Sequence, residues 1–328
     1  MDTDESDFYG WYLVLSSPFT RFNRNEQHMD ILTTGLGDDE TTSNLLQRVA
    51  DFDVDEWAEQ QQVHPGRPLR QVDLIDEASH LHNPYSGISY AWQLTETIDH
   101  FLSRLPPATT DQTPQVPWIF VCNPYIPRVH RLESQSQFSK GNEDEAPEEE
   151  GSKTAIVAQG GLERLHLVSK FIEGMQRSGK TKAAVEMEIR KEQRQATDDI
   201  LNLAHLAKVR TGKWLLFCPA SEVNEMWEIV AKATANNELG IASKVAPRSP
   251  LEDPRRDRLL CVYTADFRDK ADVGRVLQKL RELRLVESRG RPIYYKPDAF
   301  TYIGISRGNA WGVRATIYSS TDVFPRRT

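Results

Sequence analysis

From residue 211 onward the chain alternates short apolar runs with amphipathic helical stretches, and this alternation restricts the fold more than any other feature. Runs at 214–218, 241–245 and 259–264 are rich in β-branched, aromatic and other apolar residues, as buried strands are. Between them, 222–233 places Val223, Met226, Trp227 and Val230 on one side of a helix. The helix opening at Asp272 carries Val273, Val276, Leu277, Leu280 and Leu283 as an apolar stripe. Further strands are expected at 293–295, 302–305 and 314–318. Upstream, 117–122 is the first central strand, ended by Asn123-Pro124. Without a repeated glycine-marked β-α-β signal, the pattern predicts an α+β fold with a mostly antiparallel sheet.

Ahead of these strands the spacing predicts helices. Trp92, Leu94, Ile98, Phe101 and Leu105 suggest one over 90–105, stopped by Pro106-Pro107. Leu162, Leu165, Val168, Ile172 and Met175 lie along one face of a second. A third covers 182–192, and a fourth starts near Thr197 with Ile200, Leu203 and Leu206 inward. A short helix at 53–62 carries Trp57, and 63–90 is rich in turn formers. Residues 1–55 read as a flexible arm with one aromatic run at 8–15, and 56–328 as a single domain. Within that domain, 133–158 is expected to be a disordered acidic insertion, because Glu143-Asp144-Glu145 and Glu148-Glu149-Glu150 repel one another.

The charge balance narrows the function. With 40 Lys and Arg against 48 Asp and Glu, the net charge of −8 excludes a uniformly basic nucleic-acid coat but leaves room for a local basic face. The acidic N-terminus and the brevity of every apolar run argue against secretion and membrane insertion. Cys122, Cys218 and Cys261 each sit in a strand-like run without C-x-x-C spacing, as buried thiols in a reducing compartment do. A cytoplasmic or nuclear location is expected.

Several motifs could carry chemistry. Gly174-Met175-Gln176-Arg177-Ser178-Gly179-Lys180-Thr181 matches the loop that wraps nucleotide phosphates with backbone amides. That chemistry needs a buried strand before the loop; the preceding residues have helical periodicity, so a turn between two helices explains the same residues. His80 and His82 could face one side of a strand, but no third metal ligand is near. No catalytic set, cofactor or metal is expected. The remaining signal is aromatic and basic: Trp118, Lys244, Arg248, Lys296, Arg307 and Trp311 lie around the strands, with Arg255, Arg256, Arg258 and Arg314 near them. Cations on phosphates beside an aromatic face would hold a nucleotide or single strand. Trp214 and Trp227 are spaced for the core.

Gly212-Lys213-Trp214-Leu215-Leu216-Phe217, the helix with Met226-Trp227, Leu239-Gly240-Ile241-Ala242-Ser243-Lys244-Val245, Cys261 to Phe267, and Tyr294 to Ile305 together resemble the Bles03 family of eukaryotic proteins. That family is similar in fold to the mRNA cap-binding translation initiation factor 4E. The resemblance implies a curved antiparallel sheet with helices on its convex face, and it puts Lys244 and Arg248 near the turn that contacts the cap triphosphate. Cap binders also sandwich methylguanine between two tryptophans and read it with a glutamate after the second. The matching stretch here, 197–210, has neither Trp nor a suitable Glu. The resulting expectation is a binding protein without catalysis, taking RNA or a nucleotide or other phosphate-bearing ligand on the concave face. The alternatives are an adaptor presenting its helical face to another protein and, through 174–181, an NTPase.

Overall fold

A computed structural model describes residues 81–129, 145–249, 251, 253, 256–287, 290–322 and 324. The expected arm at 1–55, the helix at 53–62 and the first part of the acidic stretch lie outside the described residues. In chain order the elements are α1 (Ile98–Arg104), β1 (Ile119–Cys122), α2 (Thr154–Gln176), α3 (Lys182–Leu206), β2 (Gly212–Cys218) and α4 (Val223–Ala235). They continue with β3 (Ala242–Val245), β4 (Arg258–Thr264), α5 (Lys270–Glu282), β5 (Tyr294–Pro297), α6 (Asp298–Tyr302) and β6 (Tyr318–Ser319).

The six strands form one open sheet in the order β1-β3-β4-β2-β5-β6, and each neighbouring pair is antiparallel. This is the α+β architecture with an antiparallel sheet that the alternating pattern predicts. Because side chains alternate across a strand, the register sorts them into two layers. Trp214, Leu216, Val262, Ser243 and Val245 share one face. It is covered by α4, whose Thr234 hydroxyl meets that of Ser243 at 2.8 Å, and by α5, whose Val273 carbonyl accepts from Trp214 Nε1 at 3.1 Å. Trp214 and Trp227 are both fully buried, as their spacing predicts. Lys213, Leu215 and Phe217 of β2, Lys244 of β3, Cys261 of β4 and Lys296 of β5 face the other way.

α2 and α3 form an antiparallel pair that packs mainly on itself and on α6 rather than on a sheet face. Gly161 permits this contact, since a Cβ there would come within 2.8 Å of Ile303 Cγ2. The buried stripe of α2 is Val157, Gly161, Leu165 and Val168, so Leu162, expected inward, is instead 37% exposed. α3 is one continuous helix where two were expected. Thr181 caps it by accepting from the Ala184 amide at 3.4 Å, and Ala196, Ile200 and Ala204 are buried. The 174–181 motif therefore spans the end of α2, the turn and the cap of α3. The residues before it are helix rather than strand, so the strand-to-loop junction that phosphate cradling needs is not formed there.

Three further expectations are corrected. Helical structure in 90–105 is limited to α1, because Tyr90 and Trp92 exchange backbone hydrogen bonds with Phe120 and pair beside β1. Residues 302–305 are the end of α6 and a turn through Gly304, whose φ of +73° favours glycine. Of the acidic stretch, residues 145–158 are ordered: Glu145 and Ala146 are buried and α2 begins at Thr154. α5 also starts two residues before Asp272. Asp269 caps it by accepting from the amides of Ala271 at 3.1 Å and Asp272 at 3.0 Å. Asp269→Ala is expected to cost about 1 kcal/mol, read as a lower urea midpoint with unchanged slope.

Candidate anion-binding cavity

The sheet face opposite α4 and α5 borders a cavity of about 300 Å³, within the range of small-ligand sites. Its floor comes from β2 to β5, and a wall is the 306–316 segment that follows α6. Asn309 shapes that wall, donating to the carbonyls of Ser306 at 2.6 Å and Val313 at 2.7 Å. Gly308 and Gly312 turn it with φ of +68° and +63°.

Three lysines point from the strands toward this space, which is unusual for a buried face. Lys213 and Lys296 are directly opposite on β2 and β5, and Lys244 lies two strands away from Lys213. Like charges placed this way repel, and two carboxylates offset most of the repulsion. Lys213 Nζ donates to Asp298 Oδ1 at 2.8 Å, to Thr301 Oγ1 at 3.1 Å and to Glu145 Oε2. The same Glu145 oxygen accepts from the Tyr263 hydroxyl at 2.9 Å, while Oε1 faces Lys244 Nζ at 3.4 Å. Asp298 Oδ2 accepts from Thr211 Oγ1 at 2.6 Å. Lys244 Nζ also sits 3.9 Å from the centre of the Trp118 ring, a cation–π contact that occupies one face of that indole.

The charges follow from these neighbours. Burial alone would push the Glu145 carboxyl up, but the charges of Lys213 and Lys244 and the bonds from Lys213 and Tyr263 hold it down at about 2. Burial, then the adjacent Glu145, raises Asp298 in spite of Lys213. Burial opposes the Lys213 charge as well, yet Asp298 and Glu145 outweigh it and raise its pKa. Lys296 differs. It is 8% exposed, and among the described residues its Nζ has no hydrogen-bond or ion-pair partner. Burial, followed by the charge of Lys213, lowers its pKa to about 7. Arg307 also lacks a partner at its buried Nη1, and Arg314 lines the wall. Cys261 lines the cavity too, but burial pushes its thiol up to about 11, so it is not a thiolate nucleophile.

Of the residues singled out from the sequence, Lys244, Lys296, Arg307 and Trp118 line this one cavity. Arg248 does not: it is half exposed and pairs with Asp111 at 2.8 Å. Trp311 packs with the small cluster of Leu165, Ile200 and Phe300, and its carbonyl accepts from Gln193 Nε2 at 2.9 Å. Among the described residues Trp118 is the sole tryptophan of the cavity lining, so no pair of indoles flanks it. Lys213, Glu145 and Asp298 escaped the sequence reading. Lys213 had a visible signal, as a lysine at an alternate position of an otherwise apolar strand. Glu145 had none, being one carboxylate in an acidic run.

A family model described as basophilic leukemia-expressed protein Bles03 matches residues 45–304. The chain belongs to the Bles03 family. The Bles03 match includes β1 to α6, and with them Trp118, Glu145, the three lysines and Asp298. It ends before Arg307 and Arg314, so the wall of the cavity lies beyond the matched residues. No helix among the described residues is long and apolar enough to cross a membrane, and none of their His, Cys, Asp and Glu residues group as a metal site.

Proposed function

We propose that this Bles03 protein binds a phosphate-bearing ligand of nucleotide size, free or at the end of an RNA, in the cavity on the sheet, and does no chemistry on the phosphate. The observation that carries this reading is the excess of cations. Lys296, Arg307 and Arg314 border the cavity without an ion pair among the described residues, after Glu145 and Asp298 have been taken up by Lys213 and Lys244. An anion entering there gains charge-assisted hydrogen bonds from donors already desolvated. Leu215, Phe217 and Leu259 supply the apolar lining for the rest of the ligand. The likeness to translation initiation factor 4E belongs to the same proposal. It is supported by the order of the Gly-Lys-Trp strand, the Trp227 helix and the Lys244 strand, and by α4 and α5 sharing one face of an antiparallel sheet. Three unpaired, buried thiols support an intracellular setting.

The complete burial of Trp227 and the packing of α4 on β1 and β3 speak against the adaptor alternative built on that helix. Equilibrium binding of nucleoside triphosphates and a short 5′-phosphorylated RNA, repeated over a range of salt, tests the anion reading. Affinity should fall with salt and drop about tenfold or more in Arg307→Ala. Binding that is absent, or equal in Arg307→Ala and the parent protein, would reject it.

A further inference from the structure

We propose that Lys296 is a covalent capture site, whose amine condenses with an aldehyde or ketone on a ligand that also carries an anionic group for Arg307 and Arg314. The geometry separates this lysine from the other two of the sheet. Lys213 spends its three N–H bonds on Glu145, Asp298 and Thr301, and Lys244 is held between Glu145 and the Trp118 ring. Lys296 is also buried, borders the same cavity and has no partner among the described residues. The ammonium directly across the strand pair, that of Lys213, makes a second positive charge unfavourable there. A lysine desolvated beside another cation is the arrangement that activates an amine for imine formation.

Burial and Lys213 bring the Lys296 pKa to about 7, so about half of the molecules present a neutral amine at neutral pH. An exposed lysine offers a lone pair in only about one molecule in a few thousand. In the reaction the Nζ lone pair forms a bond to the carbonyl carbon, and the C=O π electrons move to oxygen. The two amine hydrogens end on that oxygen, which departs as water and leaves a C=N bond. No electrons are gained or lost, so no oxidant or reductant is needed, and water reverses the step. Free amine and charged wall are complementary: the arginines would hold an anionic group while the carbonyl reaches the sheet.

The inference rests on the anion-binding reading for the part played by Arg307 and Arg314. The experiment separates the two. The full chain is incubated with pyridoxal 5′-phosphate, an aromatic aldehyde with a phosphate, reduced with borohydride, and mapped by mass spectrometry. Pyridoxal without the phosphate serves as comparison. Lys296 should be labelled at least about tenfold faster than any other lysine, since its free-amine fraction is higher. The label should vanish in Lys296→Met, whose folding is checked by circular dichroism, and excess inorganic phosphate should suppress it. Equal labelling of surface lysines with Lys296 unmarked would overturn the capture site, even where phosphate itself binds. Preferential labelling of Lys296 that neither phosphate nor Arg307→Ala alters would keep the capture site and overturn the anion role of the wall.

Discussion

Glu145→Gln should destabilise the protein by about 3–5 kcal/mol, because it leaves buried ammonium groups without their counter-charge. Glu145 pairs with both Lys213 and Lys244, and it also accepts from Tyr263. Asp298 could still answer Lys213, but Lys244 would lose the carboxylate that faces it at 3.4 Å. Urea unfolding of the two proteins measures the difference. Repeating it in a Lys244→Met background should show a smaller penalty, since that variant removes one of the cations that Glu145 neutralises. An equal penalty in both backgrounds would mean that packing, and not charge, holds the segment around Glu145. The acid side gives an independent check. The folded-state pKa of about 2 lies below the ordinary 4.5. The contribution of Glu145 is therefore complete above about pH 4.5. It is lost as the pH falls through that interval towards 2, because the unfolded chain binds the proton first.

Lys296→Met should have the opposite effect on stability and weaken the proposed anion binding. The folded-state pKa of about 7 lies below the ordinary 10.5, so at neutral pH the unfolded chain binds more protons at this position than the native one. Below pH 7 the penalty is present in full; stability rises as the pH climbs from about 7 to 10.5, and the rise ends once the unfolded lysine has also lost its proton. Methionine fills similar space without a charge, and the variant should gain roughly 2–4 kcal/mol at neutral pH. Its urea midpoint should increase while phosphate binding falls. In the parent protein, affinity for sulfate, an anion whose own charge is constant here, should weaken as the pH rises through 7 and Lys296 loses its charge. Asp298, Glu145, Lys213 and Cys261 face the same group. Glu145 near 2, Cys261 near 11 and Lys213, raised, ionise outside this interval, while burial raises Asp298 as well. A variant that loses stability, or a sulfate affinity flat between pH 6 and 8, would contradict the assignment.

The legible and illegible parts of this chain divide by the range of the interactions. Strand and helix types from β2 to α5 follow from local periodicity, as do the burial of Trp214 and Trp227 and the absence of a strand before Gly174. Each depends on side chains a few residues apart, and these are adjacent in any chain with that pattern. The miss at 302–305 has the same scale but a competing cause: its apolar residues fit a strand, whereas Gly304 at positive φ and the contact with Gly161 of α2 require a turn. Glu145 marks the limit. In sequence it belongs to a run of like charges that ought to be solvated, and its two lysine partners lie 68 and 99 residues away.

Composition and period determined by themselves that a mostly antiparallel sheet would form with helices, and that Trp214 and Trp227 would belong to its core. Only the tertiary structure decided which strands adjoin. That order, β3-β4-β2-β5, sets Lys213 opposite Lys296, draws Glu145 between Lys213 and Lys244, and leaves the Lys296 amine without a partner among the described residues. Coulomb energy depends on distance through space, and a strand order is where that distance is set.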